Sequence, residues 1–506
     1  MSDDPSLLDL AARRLSGLVL AASDEYFAPK EALLRAEDPA FDPTAQTDRG
    51  KLMDGWESRR RRTPGEDWCL VRLGVPGEVH ALVVDTTHFK GNAPAACTVD
   101  AVAIDDDPAE VGRIGADALL ARDDWEALLP RTDLAADALN RLAVPTPARA
   151  THLRLRIHPD GGVARLRVLG RPLPHLDRLA DPAGRLELAG SRHGGLVAGC
   201  SDAFFSPPEN LLAPGAGVSM ADGWETRRRR GPGHDWVVIR LAAEATVERL
   251  EVSTLHFTGN YPDRLAADVA TAPDRLTVDD PEALAWSEAL EPEPLAPHAW
   301  HRFDVTADEP VTHLRLRLLP DGGLSRVRVY GRPTEHGWAR EGVRRLDAAL
   351  PGAARRQLAG CCAAPRWVEG MLARRPFGDA PTLRAAADHV WAAMGPEDWH
   401  HAFEAHPRIG DRRAGGRAAS EQRGVEAADA DVLARLDAGN RRYEERFGHV
   451  FLIRAAGRSA EEMLSALEER LANDPDTELV IAAEQQRQIM QLRLSALVGA
   501  TREGTA

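Results

Sequence analysis

Several things are scarce in this 506-residue chain, and each scarcity excludes something. No apolar stretch approaches the roughly 20 residues needed to span a bilayer, so no transmembrane helix and no membrane partner are expected. The first residues, MSDDPSLLDLAARRL, put acids where a signal peptide needs a basic region and a long apolar core, so no secretory leader is expected. Cysteine occurs five times, at Cys69, Cys97, Cys200, Cys361 and Cys362, an odd number with no CxxC spacing. Free thiols in a reducing cytoplasm are expected rather than a disulfide framework. Aromatic residues make up only 5% of the chain. Excess positive charge is missing too: the net charge of −15 argues against nucleic acid or an anionic membrane as partner.

What the chain does have is one passage twice. Residues 54–62 and 222–230 (DGWESRRRR and DGWETRRRR) match at eight of nine positions, and residues 151–172 return at 312–333 with 16 of 22 identical. A period of roughly 165 residues is too long for a solenoid unit and suits a whole domain. Each copy is rich in short alternating segments. Leu153, Leu155 and Ile157 alternate with Arg154, Arg156 and His158, the pattern of a strand with one buried face, and Pro159-Asp-Gly-Gly is expected to turn it as a hairpin into 163–169. Its twin runs 314–319, Pro320-Asp-Gly-Gly, 324–330. Many short strands with frequent turns indicate a β-sandwich or jelly roll, with residues 173–189 as connector.

Polar residues recur at equivalent places: Glu57 and Glu225, Asp67 and Asp235, His88 and His256, Asn92 and Asn260, His152 and His313. His152 and His313, embedded in strands, read as structural. The His-Phe-x-Gly-Asn loops read as site candidates, because glycine permits unusual backbone angles while histidine and asparagine supply a titrating group and an amide. The arginine runs could serve an anionic small molecule or an internal ion-pair network. No compact ligand motif accompanies His88 or His256, so whether a divalent metal serves this half is left open.

These motifs, with the following Asp-Trp, the His-Phe-x-Gly-Asn loops and THLRLR-x-x-PDGG, resemble the allantoicase family over residues 16–335. The resemblance implies two jelly-roll domains of the galactose-binding-like kind, at 16–172 and 190–333. It also implies hydrolysis of allantoate to ureidoglycolate and urea. A carboxylate substrate with two ureido groups suits cationic and amide partners, and a histidine with a carboxylate suits proton transfer to the leaving urea. Glu66 stands where the second copy has His234, which makes the first copy the expected place for decay.

After residue 340 the texture becomes helical. Apolar residues recur at three-to-four spacing over 340–350, 383–394 and 427–447, where Gly448 is a suitable stop. Ser459 to Glu462 is a capping box, and a last helix is expected over 478–497 after Asn473-Asp-Pro-Asp. Between helices, Pro407 pushes His406 away from helical geometry, and a cationic loop (411–419) leads to Ser420, Glu421 and Gln422 at an expected helix start, where free amides suit an anion.

AHPRIG (405–410), SEQ-x-G (420–424), N-x-x-Y-x-x-x-FG (440–448), FLI (451–453) and RLANDPDTE (470–478) are similar to the family of 2-oxo-4-hydroxy-4-carboxy-5-ureidoimidazoline (OHCU) decarboxylases, over 343–500. The resemblance implies an all-α domain with His406 as general acid. Pro407, Ser420, Glu421, Gln422, Phe451, Ile453, Ala455 and Arg493 would contact substrate. Charge left by departing CO₂ can spread into the substrate's own ring, so this half is expected to need no cofactor. A histidine titrating near neutrality suits the proton delivery.

The leading reading is a bifunctional, cytoplasmic, homo-oligomeric enzyme of ureide chemistry, with allantoate and OHCU as its small-molecule substrates. One alternative keeps a single activity and reduces the other module to a scaffold. Another makes the sandwiches a small-ligand-binding module, although sugar sites usually expose aromatics and this chain has few.

Overall fold

The computed structural model describes residues 7–104, 114–272, 277–278, 280–305, 307, 309–409, 429–455 and 457–499. The chain divides into two compact units, Met1–Glu341 with Ala348–Leu350, and Gly342–Asp347 with Pro351–Ala506.

The first unit contains the two β copies. In the first copy, the segments 68–73 and 81–85 belong to one long strand, Asp67–Asp85, paired antiparallel along its length with Leu139–His158. The register breaks between Arg72 and Gly77, and the neighbours change there. Before the break the strand's outer partner is Leu18–Ala22, and after it Arg165–Pro172. Two long strands therefore pass from one sheet layer into the other, and Ala96–Val102 and Glu126–Asp133 extend the first layer. The second copy repeats this plan around Asp235–Ser253, with Trp300–Asp304 and Val311–Leu319 together taking the place of the long partner strand. Alternate residues such as Val237, Ile239, Leu314 and Leu316 fill the space between its layers. Strand pairing reaches out to Leu8–Asp9 in the first copy and to Leu186–Glu187 in the second.

The Pro-Asp-Gly-Gly turn does not close a hairpin as expected. Leu139–His158 and Arg165–Pro172 are not neighbours, because Asp67–Asp85 lies between them and pairs with both. The turn carries the chain across, and Gly162–Val163 pairs on the way with Trp56–Glu57.

The second unit is helical. Glu335–Asp347 straddles the boundary between units. Pro351–Ala359, Pro365–Leu372 and Pro396–Glu404 each begin on proline, whose fixed φ and missing N–H suit a first helical position. Asp379 caps Ala380–Ala392 by accepting from the Thr382 amide at 2.7 Å. Ala430–Phe447 stops at Gly448, in the left-handed region at φ +77°, and the Ser459 and Glu462 capping box opens Ala460–Arg470. The last helix starts earlier than expected, at Pro475, because Asp474 serves as its cap, and it runs to Leu497.

Candidate active sites

In the first copy three motifs meet. Gly55 packs where a Cβ would lie 2.6 Å from the Val163 carbonyl oxygen, and a Cβ on Gly162 would lie 1.9 Å from the ring of Phe89. Gly161, at φ +135°, crosses the Asn92 carbonyl, which accepts from the Gly162 amide at 2.8 Å. Bare glycine backbone thus lets the DGWE strand, the His-Phe-Lys-Gly-Asn loop and the Pro-Asp-Gly-Gly turn stack around the buried Phe89. Trp56 is fully buried and donates to the Asp24 carbonyl at 2.8 Å.

On this base Asn92 Nδ2 donates to Glu57 Oε1 at 2.7 Å. Glu57 is buried, and loss of water raises its pKa against the opposing pull of Asn92. His88 holds φ +72°, unusual for a side-chain-bearing residue. Its Nε2 faces the Pro39 carbonyl at 3.2 Å, a bond that puts the proton on Nε2 and leaves Nδ1 as acceptor. Glu57, His88 and Asn92 line one cavity of about 450 Å³ with Phe27, Phe41, Lys51, Met53, Lys90 and Gly91.

The second copy repeats the frame: Asn260 donates to Glu225 at 2.7 Å, and His256 at φ +72° faces the Gly217 carbonyl at 2.9 Å. It differs in its walls. Met220 Sδ lies 3.7 Å from Asn260 Nδ2, and His298 receives the His256 amide where Asp137 receives that of His88.

Alternate arginines of the two runs join an internal network. Arg61 pairs with Asp67 at 2.7 Å, Arg229 with Asp235, and Arg59 with Asp24. Strand arginines Arg154 and Arg156 share Asp100, as Arg315 and Arg317 share Asp268. His152 and His313 are buried beside Thr151 and Thr312, as structural histidines are. Glu66 bonds Arg156 and His158 within this network rather than any cavity residue, so it gives no reason to expect decay of the first copy. Among the described residues no three His, Cys, Asp or Glu side chains converge as metal ligands.

In the second unit His406 follows the end of Pro396–Glu404, and its amide donates to the Phe403 carbonyl at 3.0 Å. Pro407 and Arg408 come next, and Arg408 is anchored to Glu444 by two 2.6 Å bonds. Asn440 holds the Ile409 carbonyl at 2.9 Å, and Ile409 packs in one core cluster with Phe451, Ile453 and Ala455. The N-x-x-Y and RLANDPDTE motifs are the scaffold. Glu478, fully buried, accepts from Tyr443, Arg470 and Asn473, while Arg470 also holds the Leu452 carbonyl at 2.7 Å.

Burial, then the charge of Arg493, drives the His406 pKa down to about 3, opposed by the side chain of Gln486. The surroundings of His406 in the ligand-free protein thus favour the neutral imidazole, where the sequence leads to one titrating near neutrality. Gln486, on the same helix as Arg493, was missed by the sequence reading. It is fully buried, and neither its Oε1 nor its Nε2 has a hydrogen-bond partner of good geometry. Beside it burial pushes the Cys362 thiol up to about 12, and none of the five cysteines forms a disulfide. Ser420, Glu421 and Gln422 lie outside the described residues.

Tandem jelly rolls joined to a helical bundle, each with a polar site of its own, define a class of fused enzymes. Its particular member here is fixed by comparison. The family model described as allantoicase repeat matches residues 8–173 and 186–334, and that of OHCU decarboxylase matches 348–495. The chain belongs to the allantoicase family and carries an OHCU decarboxylase domain. It is 44% identical over 330 residues to a probable allantoicase of Burkholderia pseudomallei, covering 64% of this chain and 94% of that one. It is 39% identical over 327 residues to allantoicase of Dictyostelium discoideum, covering 63% and 86%. The crystal structure of Saccharomyces cerevisiae allantoicase superposes with a TM-score of 0.53 at 29% identity, over 65% of this chain and 94% of that one.

Proposed function

We propose that the protein is a bifunctional enzyme of allantoin metabolism, whose β unit hydrolyses allantoate to (S)-ureidoglycolate and urea and whose helical unit converts OHCU to (S)-allantoin and CO₂. The observation that carries the hydrolase reading is the buried Glu57 and Asn92 pair in one cavity with His88. Glu57, its pKa raised by burial, gives a proton to the departing ureido nitrogen as the C–N bond breaks. His88 Nδ1 takes a proton from the water whose oxygen joins the same carbon. Glu225, His256 and Asn260 keep the frame in the second copy behind different walls, with Met220 and His298 beside them, and the hydrolytic step is assigned to the first.

In the helical unit the OHCU carboxylate sits by Arg493 and offsets the charge that, after burial, lowers the His406 pKa, so that substrate binding favours protonation of His406. The C–C bond breaks, its electron pair enters the ring, and His406 protonates the carbon on one face. Pro407, Phe451, Ile453 and Ala455 shape that pocket, and the family resemblance adds Ser420, Glu421 and Gln422 as substrate contacts. A reducing cytoplasmic setting and a homo-oligomer complete the proposal, supported by cysteines that form no disulfide and by the exposed Phe204, Phe205 and Val218. No helix of the described residues is long and apolar enough to cross a membrane.

Urea release from allantoate and CO₂ release from freshly generated OHCU test the two halves on one preparation. Glu57→Gln is expected to lower urea release about 100-fold, the scale of a lost general acid, and His406→Ala to abolish selective (S)-allantoin formation. Unimpaired urea release by Glu57→Gln would remove the proposed acid.

A further inference from the structure

Of the 63 basic residues of this chain only three are lysine: Lys30, Lys51 and Lys90. Lys30 is spent on Glu25 and Glu31. The other two line the same cavity, the one that holds Glu57, His88 and Asn92. Most ion pairs elsewhere in this unit are made by arginine, whose planar fork suits fixed bidentate contacts. A lysine ammonium is a mobile point charge on a flexible stem and suits capture of an incoming anion.

Lys51 reaches the cavity through an insertion. Between the turn ending at Leu34 and Asp54 the first copy has residues 35–53, whereas between Leu212 and Asp222 the second has only 213–221. The extra chain folds as the short hairpin Gln46–Thr47 with Gly50–Lys51. It brings Phe41 to 5.4 Å from the His88 ring and Lys51 Nζ to 4.2 Å from the Phe41 ring centroid. Lys51 has no carboxylate partner among the described residues. Lys90, in the loop between His88 and Asn92, lies 3.6 Å from Asp137 at the surface and keeps most of its side chain in solvent. The cavity thus has a carboxyl and amide pair at its buried end and two ammonium groups at its mouth. A substrate with one carboxylate beside its reacting carbon needs that polarity.

We propose that Lys51 and Lys90 form the carboxylate-binding subsite of the hydrolase, Lys51 leaving the Phe41 ring to pair with the substrate anion. The proposal rests on the hydrolase reading and specifies which groups select an anionic ureide.

Substrate-protected lysine acetylation of the full-length protein, read by mass spectrometry, tests occupancy without turnover. Allantoate is expected to slow labelling of Lys51 and Lys90 and to leave Lys30 unchanged. Equal labelling with and without saturating allantoate would overturn the subsite. In steady-state urea release, Lys51→Met is expected to raise KM about 10-fold or more with kcat nearly unchanged, the loss appropriate to one charge-assisted contact. Lys51→Arg recovers part of it, and Lys30→Met has no effect. A wild-type KM in Lys51→Met would remove Lys51 from substrate binding while leaving the hydrolase reading intact. A wild-type enzyme that releases no urea would remove the hydrolase reading itself.

Discussion

His406 and Gln486 show how much a single buried group can set. An imidazole whose pKa is driven to about 3 by burial and by Arg493 is neutral in the folded protein, whereas in the unfolded chain it binds a proton near 6.5. His152, at about 4, behaves alike. Both pKa values are lowered by folding, so their contribution is full above pH 6.5 and is lost as pH falls toward the folded values. The denaturant midpoint is expected to be lower at pH 5.5 than at pH 7.5. An equal or higher midpoint at pH 5.5 would contradict the burial of these rings. Gln486 makes the complementary case, since its buried amide lies beside the reacting histidine and favours its charged form. Gln486→Leu is expected to lower decarboxylation about 10-fold by removing that polar contact, with little change in Tm. A fall in Tm without loss of kcat would instead make it a structural residue.

At the scale of elements, the glycines decide where the motifs meet. Gly162→Ala would drive its Cβ into the Phe89 ring and is expected to destabilise by about 1–3 kcal/mol, the usual cost of overpacking, and to disturb the Glu57 and Asn92 contact. Thermal melts and urea release check both effects. Much of this level was legible in sequence. Alternation marked the strands through 153–157, and Ser459, Glu462 and Gly448 marked helix ends by local chemistry alone. The crossing of Pro-Asp-Gly-Gly over Asp67–Asp85 was not legible, because it depends on a strand far away in sequence. Gln486 was hidden inside a helix where its period looks like core. Lys51 was hidden because lysine and arginine were weighed together as one charge.

For the whole molecule, two compact units with separate cores predict separable unfolding. Calorimetry is expected to resolve two transitions, and allantoate, binding only the native β unit, to raise only one of them. A single transition shifted as a whole would mean that the units unfold together. The apolar Phe204, Phe205 and Val218 of the second copy, about 60% to 80% exposed, belong to this scale too. Replacing Phe204 and Phe205 by serine is expected to lower the sedimentation coefficient of a self-associating enzyme.

The two copies share their anchors, Leu34 and Leu212 on one side and Asp54 and Asp222 on the other, and differ in the length of chain strung between them. Duplication in this protein therefore left a spare socket. Grafting residues 35–53 in place of 213–221, with Thr258→Lys to match Lys90, would furnish it and is expected to add a second urea-releasing centre to the one proposed in the first copy.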